Sequence, residues 1–263
     1  MSWLAPEIEV AIDNQTDSES VGSLVVTAAR GQPVATMELE LSNVRFEWEE
    51  LRTSLESGEA NIIVRWGYRG GDLFPLFDGT VKRWEMREKL RLVALCRCRA
   101  LVDTLVTRTY FQETATTIVK HLVENCGFAE EKDITQVDTV LDKLPLDQDS
   151  IVSALEWLDR RLKLGYAFWA DPSGVFHWAP PNEAQEADQL FTHGEDIIDW
   201  QVLPGDRRLL TVAGTSIWHS QVVGVQNRGD QDFERYFIEQ VRHTAGGGNS
   251  VGLRTYMWLR RLA

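Results

Sequence analysis

The sequence predicts a mainly β protein of the α+β class, with two antiparallel β regions joined by a two-helix region and a hairpin. Three observations predict it. Apolar and polar residues alternate with a period of two before residue 105 and again after residue 183, as half-buried strands require. Helical spacing of apolar residues appears between them, at 114–127 and 150–165. The stretch Ser150 to Trp178, SIVSALEWLDRRLKLGYAFWADPSGVFHW, joins one amphipathic helix directly to one aromatic hairpin. The expected domains are a first β-barrel over 1–105, a helical connecting domain with the hairpin over 106–182, and a second β-barrel over 183–263.

Taken in order, Glu7 to Ile12 alternates and reads as a strand, and Asp13 to Ser20 is polar turn material. Val21 to Ala29 is a strand or a short buried run. In Thr36 to Val44, Met37, Leu39 and Leu41 share one face while Glu38, Glu40 and Ser42 share the other. Asn61 to Tyr68 is a further strand, closed by the turn Arg69-Gly70-Gly71-Asp72. Gly79, inside the strand Leu76 to Glu85, marks a bulge or a close backbone approach. Leu90 to Arg99 puts Leu90, Leu92, Ala94, Cys96 and Cys98 on one side. Six or seven such strands with short connections indicate a small barrel or sandwich.

Thr114 is placed to cap a helix whose apolar residues are Ala115, Ile118, Val119, Leu122, Val123 and Cys126, and Gly127 to stop it. His121 falls off that stripe and reads as an exposed or boundary residue rather than a metal ligand. Ala129 to Asp149 is acidic and irregular. Asp149 or Ser150 caps the second helix, striped by Ile151, Leu155, Leu158 and Leu162 and ended by Gly165. Tyr166 to Ala170 and Val175 to Trp178 are two strands around Asp171-Pro172-Ser173-Gly174, with proline and glycine where a four-residue turn needs them. Beyond the linker Ala179 to Asp188, strands are expected at Ile197 to Val202, Leu209 to Thr215, Ser216 to Val225, Tyr236 to His243 and Leu253 to Leu262, with a glycine-rich loop at Ala245 to Asn249.

Charge and chemistry narrow the function. A net charge of −13 argues against a sequence-independent grip on DNA or on an anionic membrane. Apolar runs are too short to span a bilayer. The three cysteines Cys96, Cys98 and Cys126 have no zinc spacing and fit free thiols of a reducing cytoplasm. Residues Lys82 to Arg108 carry eight basic residues against three acids, a solvated face or a patch for an acidic partner or a second copy. Ten tryptophans serve either as anchors of cores and interfaces or as sugar-stacking platforms. The acids of Ala129 to Asp149 could supply a glycosidase pair, but no pair stands out. The glycines 246 to 248 lack the Lys-Ser/Thr of a phosphate loop. His177, His193, His219 and His243 are scattered and read as surface or boundary residues. No catalytic motif, metal set or cofactor fingerprint is expected.

The order of the pieces resembles the tail-hub family of contractile phages and related injection machines. That family comprises the phage late control protein D group, the T4-type baseplate hub and the N-terminal part of type VI secretion spike proteins. Four motifs carry the resemblance: Phe77-Asp78-Gly79-Thr80-Val81; Thr114 to Gly127; Ser153 to Trp178; and Phe237 to His243 followed by Gly252 to Leu259. It spans about residues 7 to 262. The resemblance implies two tail-tube-like barrels per chain and a homotrimer that forms a pseudo-sixfold ring. Such a ring would adapt a hexameric tail tube to a trimeric central spike. Implied partners are further copies of itself, tail tube protein, spike protein and baseplate wedge proteins, with DNA only as passing cargo and no membrane insertion. The implied place is the virion tail baseplate, assembled in the host cytoplasm. Neither enzymatic activity nor a cofactor is implied. Trp157, Trp169, Trp178, Arg83, Arg97 and Arg99 are the candidate subunit or partner contacts. Two rival readings are a Trp-rich carbohydrate-binding module of a tail and a glycoside hydrolase.

Overall fold

Strands form here wherever alternation gives a segment one face apolar enough to bury. The computed structural model describes residues 5–44, 47–128, 132–246 and 252–262. In chain order its elements are β1 (Pro6–Ile12), β2 (Gln15–Asp17), β3 (Val21–Ala29), β4 (Gln32–Ser42), a 3-10 turn (Glu47–Leu51), α1 (Arg52–Ser57), β5 (Asn61–Tyr68), β6 (Phe74–Met86) and β7 (Lys89–Cys96). Then come α2 (Arg99–Asp103), β8 (Leu105–Thr114), α3 (Ala115–Glu124), β9 (Lys132–Ile134), β10 (Val140–Ser150), α4 (Ile151–Leu162), β11 (Ala167–Ala170) and β12 (Phe176–Ala179). The last are β13 (Gln189–Thr192), β14 (Ile197–Leu203), β15 (Arg207–Ala213), β16 (Val222–Gln226), β17 (Glu234–Gly246) and β18 (Arg254–Arg261).

The chain divides into two compact units, Met1–Cys96 with Asn182–Ala263, and Arg97–Pro181. The three expected segments therefore regroup: the first and last β regions share a single 13-stranded sheet, and the middle stands by itself. We call these the sheet unit and the helical unit. The main path of the large sheet runs β14-β15-β18-β17-β3-β4-β7-β6-β5-β1-β2 and is open at both ends.

The joint between the two β regions is β17. Its first residues, Glu234 to Phe237, pair with β16, and its last, Gln240 to Gly246, pair with β3. β18 runs along the opposite side from Tyr236 to Thr244. The change of partner falls at a bulge between Ile238 and Gln240, the usual device by which one strand serves two sheets. Glu239, left out of the ladder, still has partners: its carbonyl accepts from Arg30 N at 2.9 Å, and its carboxylate meets Arg207 at 3.2 Å and Arg260 at 3.4 Å. The guanidinium groups of Arg30 and Arg260 lie over the buried Phe237 ring, 5.6 and 5.4 Å from its centroid.

One buried row crosses this joint. Val212, Thr255, His243, Val26, Met37, Ala94 and Val81 are successive cross-strand partners, and all are buried. Each such apolar side chain contributes about 1.5–3 kcal/mol on burial. Gly79 is a close approach, as expected: a Cβ there would lie 2.2 Å from the Leu95 carbonyl oxygen. Gly246 closes β17 at φ +77°, and a Cβ on it would lie 2.2 Å from the Gly22 oxygen.

In the helical unit, Thr114 Oγ1 accepts from Thr117 N at 3.2 Å and Ser150 Oγ from Ser153 N at 3.1 Å, capping α3 and α4. α3 buries Ala115, Ile118, Val119, Leu122 and Val123 as its spacing predicts. The hairpin β11–β12 closes as read: Asp171 Oδ1 accepts the amides of Ser173 at 2.9 Å and Val175 at 3.1 Å.

Several expectations need correction. The acidic segment up to Asp149 is not irregular: β10 pairs antiparallel with β8 as a two-stranded ribbon, and β9 pairs parallel with β12. Glu130 and Glu131 lie outside the described residues. The strand expected at Leu90 to Arg99 ends at Cys96, because the chain turns into α2 with Leu101 buried. The strand expected at Ser216 to Val225 is confined to β16, and the short β13 beside it was not anticipated. Of the glycine-rich loop, residues 247–249 lie outside the described residues. Among the described residues no helix is long and apolar enough to cross a membrane.

Candidate assembly surfaces

One surface that the sequence builds is the outward face of the large sheet. Because side chains alternate, each buried row is flanked by outward rows. One of them links Thr211, Tyr256, Arg242, Thr27, Thr36, Leu95, Thr80 and Asn61 as successive cross-strand partners. The next links Ala213, Arg254, Thr244, Val25, Glu38, Val93 and Arg83. Apart from the buried Thr211, these residues are exposed or half-buried. The rows pass from one β region to the other without interruption at β17 and β3. The face is rich in hydroxyls and carries both signs of charge. Glu40 takes Lys89 at 2.5 Å and Arg91 at 3.0 Å, and these two cations hold its carboxyl below the usual carboxylate range. Part of the expected basic patch is thus neutralised within the chain.

Apolar exposure collects elsewhere. The edge strand β14 exposes Ile198 and Val202, the latter at 70 %. Leu190 and Phe233 are exposed and pack over Gly224, where a Cβ would lie 2.8 Å from each. In the helical unit the ribbon exposes Leu105, Phe111 and Val140, with Lys143 Nζ 5.6 Å from the Phe111 ring centroid.

The candidate contact residues fall in different environments. Arg83 is exposed on an outward row of the large sheet. Arg97 lies over the Phe128 ring at 5.3 Å and donates to Gly127 O at 3.3 Å. Arg99 pairs with Asp103 at 2.6 Å along α2. Trp157 is half-buried on α4. Trp178 is fully buried, edge-on to Tyr166 at 4.9 Å, and Trp169 is 9 % exposed. The last two are packing residues of the helical unit, while Trp157 and the arginines keep surface. Among the described residues every tryptophan is buried or half-buried, which suits anchors rather than open sugar platforms.

Two histidines read as surface or boundary residues are buried instead. His219 is 3 % and His243 1 % exposed. The His243 ring stacks on Trp218 at 5.7 Å, meets Trp66 edge-on at 5.0 Å, and has Nδ1 3.0 Å from Thr255 Oγ1. Burial, only partly offset by the Ile217 carbonyl, pushes its pKa down to about 3. The signal was available: His243 shares parity with Val241 and Ala245 on one buried face. His121 sits where it was read, between Arg108 and Tyr110, and burial followed by the Arg108 charge lowers its pKa. Tyr236 Oη donates to Glu234 at 2.5 Å, and burial plus that carboxylate push its pKa up to about 12. Among the described residues no group of three or more His, Cys, Asp or Glu side chains is placed to hold a metal ion.

No protein-family model and no curated protein matches the chain. Solved structures do. A prophage MuSo2 43 kDa tail protein from Shewanella oneidensis superposes with a TM-score of 0.72 at 11% identity, over 98% of this chain and 97% of that one. A tail protein from Neisseria meningitidis gives 0.72 at 10% identity, over 98% and 97%. An Escherichia coli component of the type VI secretion system, described as structurally similar to T4 bacteriophage tail proteins, gives 0.65 at 9% identity, over 97% and 77%. The fold is therefore that of phage tail proteins and their secretion-system counterparts. It is the group that the four sequence motifs resemble, and at these identities the likeness is one of fold.

Proposed function

We propose that the protein is a non-enzymatic structural hub of a contractile phage tail or a related injection machine. In this reading three copies form a ring, each chain contributing two β lobes, so that a threefold assembly presents a sixfold-like end to the tail tube. The observation that carries the reading is the joint at β17, where six strands of the last β region continue into seven of the first as one sheet. The uninterrupted hydroxyl-rich outward rows suit the wall of a channel, because mixed charges give passing DNA little net grip. The other end of the ring would seat a spike, and the exposed apolar residues of β14 and of the β8–β10 ribbon are the surfaces for neighbouring copies and baseplate proteins.

Native mass spectrometry of the purified chain tests this, alone and with a cognate spike protein. The expected species is a trimer in at least one condition. A monomer in both would contradict the reading. The carbohydrate-binding alternative predicts a saturable tryptophan fluorescence change with glycans, whereas the hub reading predicts none.

A further inference from the structure

Within the helical unit, His177 sits on β12 with both ring nitrogens engaged. Nε2 lies 3.1 Å from Asp171 Oδ2, and Nδ1 lies 3.3 Å from Asp133 Oδ2. The ring stacks on Trp169, with centroids 5.0 Å apart and planes at 14°. Asp171 belongs to the hairpin turn and holds it with its other oxygen. Asp133 belongs to β9, a strand of three residues that lies parallel to β12. A neutral imidazole has one N–H and can donate to only one of these carboxylates; its other nitrogen then turns a lone pair toward the second. Only the imidazolium donates to both.

We propose that His177 is a pH-sensitive fastener for β9: charged, it ties that strand to the hairpin through Asp133, and neutral, it keeps Asp171 and lets Asp133 go. The order of release follows from exposure. Asp171 is the nearer partner and 28 % exposed, whereas Asp133 is 71 % exposed and open to competing water. Asp133 and Asp171 are the charged groups that face the ring. Lys132, next on β9, is paired with Glu124 of α3 at 2.5 Å, so a second tie holds the start of the strand at either pH. Burial alone would lower the His177 pKa, but the bonds to Asp171 and then Asp133 outweigh it and raise the value above 6.5. A raised folded pKa means that the tie is complete below pH 6.5 and is lost as pH rises through that folded value. The device lies within one unit and does not depend on the assembly proposed above.

The test is amide exchange of Ile134 and Thr135 in the full chain, corrected for intrinsic rates, from about pH 5.5 to about pH 8.5. Thr135 N bonds Trp178 O at 3.0 Å, so it reports directly on the β9–β12 contact. Protection should fall several-fold across the His177 transition in the wild type. It should be flat in Asp133→Asn, a change at an exposed side chain that leaves the fold intact. Constant protection in the wild type would overturn the proposal, as would an equal fall in Asp133→Asn.

Discussion

The two units are built on opposite principles. In the helical unit, structure comes from nearer in the sequence: caps at Thr114 and Ser150, a four-residue turn, and strands that all find their partners within residues 105–179. In the sheet unit the central ladder joins Ala29 to Gln240 and Ser23 to Gly246, so the first β region is not complete until the last has been made. Each unit is therefore vulnerable in a different place. The helical unit should respond to local changes, while the sheet unit stands or falls with its joint.

The largest effect should come from Phe237→Ala, which empties the ring site between Arg30 and Arg260 beside the bulge. We expect a loss of about 3–5 kcal/mol, as for buried aromatic truncations. Urea unfolding followed by amide exchange should show lost protection in β3 and β17 with α3 and α4 intact. Loss spread evenly over both units would break the comparison.

Acid should separate the units next. His243 has a folded pKa of about 3, below its unfolded value. Its contribution is present above pH 6.5 and is lost as pH falls toward 3, costing the sheet unit about 3 kcal/mol by pH 4. His177 has the opposite sign, so its tie is fully formed over the same range. Amide exchange at pH 7 and pH 4 should show the sheet unit loosening first. A smaller, local effect is expected from Ser150→Ala, which removes the α4 cap and should cost about 1 kcal/mol. Thermal unfolding of that variant should reveal the loss, with protection in β3 and β17 unchanged.

How legible all this was in the sequence follows the same division. β5 has the bounds its sequence indicates, and β3 settles Val21–Ala29, a strand or a short buried run on sequence alone, as a strand with those same ends. The Asp171 turn is legible for a local reason, and the α4 cap is legible as Asp149 or Ser150, of which Ser150 is the one that caps. The β8–β10 ribbon was not. Both its strands expose most of their residues, and β10 carries four charged residues and Pro145, so no burial period marks them. The joining of two β regions into one sheet could not be read either, since pairing between Val21–Ala29 and Glu234–Gly246 leaves no local trace. Among the candidate contacts, the sequence did not separate those that keep surface, Trp157, Arg83, Arg97 and Arg99, from the rest. It did not reveal that Trp169 and Trp178 turn inward, because aromatic hairpins look the same whether their rings pack a core or a partner.

The proposed hub puts three chains and six β lobes around one channel. A cryo-EM reconstruction of the assembled protein, with its spike if needed, tests it most directly. The expected map is a threefold ring with a sixfold-like wall in which Arg83, Thr36, Arg242 and Tyr256 face the lumen. A ring whose lumen is lined by the helical unit, or a particle holding one chain, would contradict it.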